Sequence, residues 1–233
     1  LSTSEGWEVS FIQPKLFDQW PEDYDHWFTT PIGLLVKKYE SDLLLELLKP
    51  NAGERILDAG CGTGIFTSDL LSHGCHVIGI DLSWPMLGRA RVKAGRSPFQ
   101  TAQSDILKLP FKDNLFDKVI SVTAIEFIED AKIAIEELFR VTQRGGTMVV
   151  ASLNSLSPWA ERRKSKEDHP LFKNANFRSP DDLLSLTPFQ GTAKTAIHFR
   201  KEDDPEVARK IEKEGREKGL TTGAFVAARW EKP

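Results

Sequence analysis

Three glycines at alternate positions, Gly60, Gly62 and Gly64, follow an acid in the stretch RILDAGCGTG at residues 55–64. Glycine loses more conformational freedom on ordering than any other residue, so three in five positions imply a need for bare backbone. Where an apolar strand hands over to a helix, main-chain N–H groups without side chains in the way can contact a ligand. A second acid, Asp81, ends the next apolar run, about 20 residues further on, where a carboxylate can accept both hydroxyls of a ribose. Glycine loop and acid together form two halves of a nucleoside site. A tight turn with no ligand is the plainer alternative, but one glycine would serve for that.

The spacing narrows the ligand. The dinucleotide fingerprint reserves for glycine the position that Ile65 holds here, and no Walker lysine follows. The loop offers Asp58, Cys61 and Thr63 and lacks nearby cations other than Arg55. A nucleoside cofactor carrying little or no phosphate suits it better than a dinucleotide or triphosphate.

The elements that must position these residues alternate. Thr30 and Pro31 open a helix whose apolar residues, from Ile32 to Leu48, recur at helical spacing, and Pro50 and Gly53 close it. Arg55–Gly60, His76–Asp81, Phe99–Asp105, Lys118–Thr123 and Gly146–Leu153 read as strands. Helices over Ile65–Ser72, 83–94 with Ser83 as cap, and Ala131–Thr142 with Asp130 as cap fall between them. Later come a capped helix at SPDDLLSL, a strand over Ala193–Arg200, a charged helix over Asp204–Lys218 and a strand over Gly223–Trp230. Interleaved strands and helices, several strands apolar throughout, predict an α/β fold. The expected architecture is a Rossmann-like doubly wound sheet of seven strands, mostly parallel with an antiparallel edge strand, and helices on both faces. One domain is expected over 1–233, with an N-terminal lid and helix region (1–50), a cofactor-binding core (51–153) and a substrate-side, sheet-closing region (154–233).

Composition excludes several classes. A length of 233 residues can bury a large core, and 40% hydrophobic with 28% charged residues is ordinary for a globular chain. The formal net charge of −3 argues against a general grip on nucleic acid or an anionic membrane. Two cysteines, Cys61 and Cys75, form no disulfide framework or metal-ligand pattern, and the five histidines form no HxH or HxxxH pair. No metal is expected, and a reducing cytoplasm is favoured. No apolar stretch approaches the roughly 20 residues that span a bilayer, and no secretory signal is expected at the N-terminus.

ILDAGCGTG, VIGIDLSWPML, AQSDILKLPFKDNLFDKVISV and ELFRVTQRGGTMVV, in this order, resemble the successive motifs of class I S-adenosylmethionine-dependent methyltransferases. The similarity covers about residues 50–153 and is greatest to the small-molecule subgroup (methyltransferase type 11-like), which includes quinone- and biotin-pathway enzymes. QRGG stands where the family often has KPGG, and TAIEFIED stands where many members carry histidines. The resemblance implies S-adenosylmethionine as cofactor and S-adenosylhomocysteine as product. By position, it implies that Gly60, Gly62 and Gly64 bring backbone against the methionine half and ribose, with Cys61 and Thr63 in the same loop. Asp58 orients the loop and reaches the cofactor ammonium through water. Asp81 accepts the ribose hydroxyls, and Leu82 and Met86 pack on the adenine. Asp105, with Ser104 and Ile106 beside it, meets the adenine edge; a helix cap is the plainer role for Asp105. Val122 and Thr123 line the floor near the methionine tail. Apart from the resemblance, Tyr24, Trp27 and Phe28, just before the first long helix, are candidates for a lid over that end, with a hydrophobic anchor for the N-terminal segment as the plainer role.

Methyl transfer from a sulfonium is an in-line displacement that asks the protein mainly for positioning. A base is needed only if the acceptor must lose a proton, and His26 and Glu126 are the candidates. Trp27, Phe28, Asn154 and Trp159 are the candidate contacts to a small-molecule acceptor, each with core or turn duty as the plainer role. Arg162, Arg163 and Lys164 are candidates to hold an acidic acceptor, although a solvated face explains them as well. Three other readings stay open: an NAD-type oxidoreductase, a non-catalytic cofactor-binding protein and a nucleic-acid methyltransferase. Ile65 and a missing catalytic pattern count against the first. The last lacks an Asn/Asp-Pro-Pro-aromatic run at TAIEF.

Overall fold

The computed structural model describes residues 15–160, 172 and 175–233. Its helices are α1 (Pro21–Trp27), α2 (Pro31–Leu48), α3 (Thr67–Ser72), α4 (Trp84–Ala94), α5 (Ala131–Val141), α6 (Pro180–Leu184) and α7 (Pro205–Glu217). Its strands are β1 (Arg55–Ala59), β2 (His76–Asp81), β3 (Phe99–Gln103), β4 (Phe116–Val122), β5 (Thr142–Leu153), β6 (Gly191–Ala196) and β7 (Phe225–Glu231). They form one sheet in the order β3-β2-β1-β4-β5-β7-β6. The first five strands run parallel. The expected antiparallel edge takes the form of a pair: β7 lies antiparallel between β5 and the outermost strand β6.

Alternation along the strands divides the core in two, because successive side chains leave a strand on opposite faces. Ile56, Ile120 and Val149 join Leu43, Leu47 and Leu48 of α2 and Ala208 of α7 on one face. Their neighbours Leu57, Val119 and Val150 join Ile135 and Leu138 of α5 and Leu183 of α6 on the other. The helix caps expected from sequence are made. Thr30, Ser83, Asp130 and Ser179 each accept a backbone N–H of the first turn through their side chains, which satisfies donors a helix start leaves unpaired.

Several boundaries differ from the sequence pattern, and three of the differences have a visible physical cause. The strand expected from Gly146 begins at Thr142, since Thr142 pairs with Phe116 before a bulge carries the register to Thr147 and Lys118. The strand expected to reach Arg200 ends at Ala196, because Ile197 adopts a left-handed φ of 67° that turns the chain off the sheet. The helix expected from Ile65 begins at Thr67, since Ile65 and Phe66 belong to the preceding turn.

Candidate active site

The strand order reverses between β1 and its two neighbours β2 and β4, and ligands of open parallel sheets bind beyond the carboxyl ends of the strands at such a point. A cavity of about 200 Å³ opens there. Its walls come from the loop after β1, the ends of β2 and β4, the turn after β3, and a roof made by residues 15–17 and Tyr24 of α1.

Of the residues singled out from sequence, Tyr24, Asp58, Gly60, Cys61, Gly62, Asp81, Leu82, Met86, Ser104, Asp105, Ile106, Val122 and Thr123 line this cavity. Asp81, at the end of β2, holds the site together. Its Oδ2 accepts the Gly62 N–H at 2.9 Å and its Oδ1 accepts the Ser83 N–H at 2.8 Å. Burial raises the Asp81 carboxyl above its ordinary range, the Ser83, Gly62 and Leu82 amides pull it back, and the charge of Asp18 adds to the rise. Asp58 lies deeper, 2% exposed, and accepts the Thr67 hydroxyl at 2.6 Å. Burial pushes its carboxyl up to about 7; the Thr67 hydrogen bond lowers it and the Asp81 charge raises it further. Burial also lifts the Cys61 thiol well above its usual range, so it stays protonated and inert.

The glycine loop explains itself at two positions. Gly60 has φ +78°, and a Cβ there would stand 2.6 Å from that of Ala124, so backbone from β1 and from the turn after β4 meet without room for a side chain. Gly62 has φ +53°, and a Cβ there would find no protein atom within 4 Å. Thr123, at the end of β4, also takes a left-handed φ, of 48°, held by its N–H donating to Ala151 O at 2.9 Å. Strain of this kind concentrates at functional sites. Burial first, and the charges of Glu40, Glu126 and Asp25 with it, raise the Tyr24 phenol far above its ordinary range against the pull of a hydrogen bond with Thr123. Tyr24 is therefore a neutral donor. Asp105 caps the turn after β3, accepting the Leu107 N–H at 2.9 Å, as well as lining the cavity.

Eight sequence candidates fall elsewhere. Thr63 and Gly64 belong to the loop and not to the cavity wall. The Thr63 hydroxyl turns outward to Asp25 at 2.6 Å, and Gly64 packs against Ala90 of α4. His26 lies exposed on α1, its ring near the Thr29 hydroxyl. Glu126 is wholly buried, with the Ser152 hydroxyl 3.4 Å from its Oε2. Trp27 carries Lys201 over its ring at 4.7 Å, and Phe28 packs into the core against Phe66. Asn154 donates to Thr221 O and Gly223 O and accepts from the Leu156 N–H, locking a turn. The Trp159 indole donates to Phe199 O. Arg162, Arg163 and Lys164 lie outside the described residues. Conversely, Lys15, Leu16, Phe17, Ile65, Phe66, Ser83, Ala124, Phe127 and Ile128 line the cavity and had not been singled out for it. Phe17 meets Phe127 edge-on at 4.9 Å, joining the roof to the turn after β4. Among the described residues there is no group of three His, Cys, Asp or Glu that could hold a metal, and no helix is long and apolar enough to cross a membrane.

A family profile described as a methyltransferase domain matches residues 57–150. An uncharacterised protein of Methanocaldococcus jannaschii is 30% identical over 224 residues, covering 94% of this chain and 99% of that protein. A malonyl-[acyl-carrier protein] O-methyltransferase of Hamiltonella defensa is 32% identical over 145 residues, 61% of this chain and 55% of that one. The chain thus spans about half the length of that named relative, 55%. A solved SAM-dependent methyltransferase of Thermotoga maritima shares the fold with a TM-score of 0.69 at 23% identity, over 93% of this chain and 98% of its own. An uncharacterised methyltransferase of Mycobacterium bovis, 30% identical over 142 residues that cover 55% of this chain and 72% of that protein, together with the profile match across β1 to β5, assigns the family: the chain belongs to the class I S-adenosylmethionine-dependent methyltransferases.

Proposed function

We propose that the cavity at the ends of β1, β2 and β4 holds S-adenosylmethionine, and that the chain directs its methyl group to a small-molecule acceptor by in-line displacement. The observation that carries this is the Asp81 carboxylate beside bare Gly62 backbone at the wall of the cavity. The donor set fits the cofactor. The Gly62 and Ser83 amides approach opposite oxygens of Asp81, and the carboxylate keeps lone pairs for ribose hydroxyls. Leu82 and Met86 supply apolar surface for an adenine, and Asp105 keeps Oδ2 for its amino group while Oδ1 caps the turn. Asp58, Gly60, Val122, Thr123 and Tyr24 surround the methionine end.

When bound, S-adenosylmethionine supplies an electrophilic methyl on a sulfonium. The chain's own part is to hold the acceptor in line and keep water out. Leu16, Phe17, Phe127 and Ile128 give the cavity an apolar wall, which suits an acceptor with an apolar or aromatic body. Neither His26 nor Glu126 lines the cavity, so positioning carries the catalysis and the reading favours an acceptor that needs no dedicated base from them. Net charge −3 disfavours nucleic acid as partner, and both cysteines are free and buried, which fits a cytoplasmic protein.

The test has two parts. Calorimetry with S-adenosylhomocysteine should show binding to the wild type and a loss of about 1–3 kcal/mol in Asp81→Ala, from the missing charge-assisted hydrogen bonds. An unchanged affinity would remove the ribose from Asp81. A panel of small acceptors with isotopically labelled methyl donor, read by product mass, then identifies the acceptor. Methylation of nucleic acid in place of every small molecule would overturn the acceptor class.

A further inference from the structure

The roof and the glycine loop are joined by one acid. Tyr24 and Asp25 are neighbours on α1, but only Tyr24 lines the cavity. Asp25 turns to the loop: its Oδ1 accepts the Thr63 hydroxyl at 2.6 Å and the Lys93 ammonium at 2.5 Å. Lys93, on α4, donates to the same Thr63 hydroxyl at 2.9 Å, so three groups from α1, the loop and α4 close a triangle. The ion pair is largely covered, with the Lys93 and Asp25 side chains 28% and 21% exposed, so water and salt screen it less than an open surface pair. A more exposed pair, Glu22 with Arg89, ties α1 to α4 at a second point. At the far end of the roof Phe17 rests on Phe127. The Thr63 hydroxyl, inside the glycine motif, thus serves the roof and not the cavity.

We infer that Asp25 is a positioning residue that latches the roof onto the glycine loop and so sets how long a bound cofactor stays. The inference rests on the cofactor reading above. A ligand held between Asp81, Gly62 and Tyr24 lies beneath the roof, and its departure requires α1 to lift. Lifting α1 breaks the Asp25 triangle, so the triangle stabilises the closed state. The apparent affinity of a ligand that binds only the closed state is its intrinsic affinity multiplied by the fraction of molecules that are closed. Weakening the latch therefore acts chiefly on release.

The experiment measures release of S-adenosylhomocysteine by stopped-flow tryptophan fluorescence, with Trp20 and Trp27 as reporters on the roof. Asp25→Ala should release it about five- to tenfold faster than the wild type, the size expected for loss of a partly buried, hydrogen-bonded ion pair. Lys93→Met should also accelerate release, and the double variant should add little to either single change, as groups sharing one interaction do. Raised salt should speed release more in the wild type than in Asp25→Ala, where only the exposed Glu22–Arg89 pair still ties α1 to α4. Asp25→Asn, which keeps an acceptor for Thr63, should fall between, and it serves if the alanine variant does not fold. Asp42→Ala, which breaks an exposed pair with Lys38 on α2, should release at the wild-type rate. Wild-type release rates in Asp25→Ala and Asp25→Asn would overturn the latch. So would additive effects in the double variant, or a loss of binding matched by an equal loss of stability in the ligand-free protein. Failure of the wild type to bind S-adenosylhomocysteine would instead overturn the cofactor reading.

Discussion

Asp58 and Asp81 face one cavity from the ends of adjacent parallel strands, and the charge on Asp81 adds to the burial that pushes Asp58 up to about 7. The folded pKa lies above the unfolded one, so the native chain holds an extra proton between pH about 4 and 7. The stabilisation is complete below pH 4 and is lost as pH rises through 7. Ligand-free stability should therefore decline over that window, by an amount on the order of 4 kcal/mol, and Asp58→Asn should remove the decline. A cofactor ammonium near Asp58 favours the charged carboxylate, so S-adenosylhomocysteine affinity should rise between pH 6 and 8 in the wild type and stay level in Asp58→Asn. Titration calorimetry at the two pH values reads this directly; a level wild type would place the ammonium elsewhere.

Gly60 and Gly62 should respond differently to alanine. At Gly60 the new Cβ would meet the Ala124 Cβ at 2.6 Å in a left-handed backbone, so the loop or the turn after β4 must move. A stability loss of about 2–4 kcal/mol is expected, from backbone strain plus overpacking. At Gly62 no protein atom lies within 4 Å, and strain alone costs about 1 kcal/mol. Gly62→Ala should nevertheless bind S-adenosylhomocysteine at least tenfold more weakly if the cofactor fills that space. Equal small losses in melting and binding for Gly62→Ala would show that the ligand lies away from this backbone.

The sheet and the cavity wall at its carboxyl end were legible because their determinants are local. Apolar runs such as VIGI and VISV mark strands, caps such as Ser83 and Asp130 announce helices, and the carboxylate of Asp81 closes a run whose end must lie beside the glycine loop. The roof was hidden because Leu16, Phe17, Phe127 and Ile128 carry no signal beyond apolarity, and the two segments meet only through the fold. Thr63 shows the limit of a motif: its position pointed to the cofactor, while its hydroxyl serves an acid 38 residues earlier in the chain. Residue type likewise left the direction of His26 and Glu126 undetermined; the former lies in solvent and the latter is enclosed beside Ser152.

Asn154 and Trp159 should matter for stability and not for the acceptor. Asn154 is fully buried, and its side chain satisfies two carbonyls and one amide across the turn that leaves β5. Asn154→Ala strands those groups and should cost about 2–4 kcal/mol. Trp159→Phe loses one hydrogen bond to Phe199 O, at 2.7 Å, and should cost about 1 kcal/mol. Denaturant midpoints measure both losses. At a temperature where the variants stay folded, the KM for the methyl acceptor should match the wild type; a selective rise in that KM would return these residues to the site.

Glu212 should govern the acid limit of the fold. Its Oε2 accepts the His198 N–H at 2.7 Å and faces His198 Nδ1 at 3.0 Å, while its Oε1 accepts from Arg216 at 2.7 Å. Arg216 in turn donates to Tyr39 O, so one carboxylate ties α7 to both β6's exit and α2. Burial alone would raise this carboxyl, but the hydrogen bonds from His198 and Arg216 prevail and hold it at about 2. Here the folded pKa lies below the unfolded one. The stabilisation is present above pH about 4.5 and is lost as pH falls toward 2. Glu212→Gln should lose about 2–3 kcal/mol at pH 7, and the gap to the wild type should narrow steadily below pH 4.5. Urea midpoints at pH 7, 4 and 3 would show this convergence, whereas parallel curves down to pH 3 would mean that the carboxylate charge does not hold α7 in place.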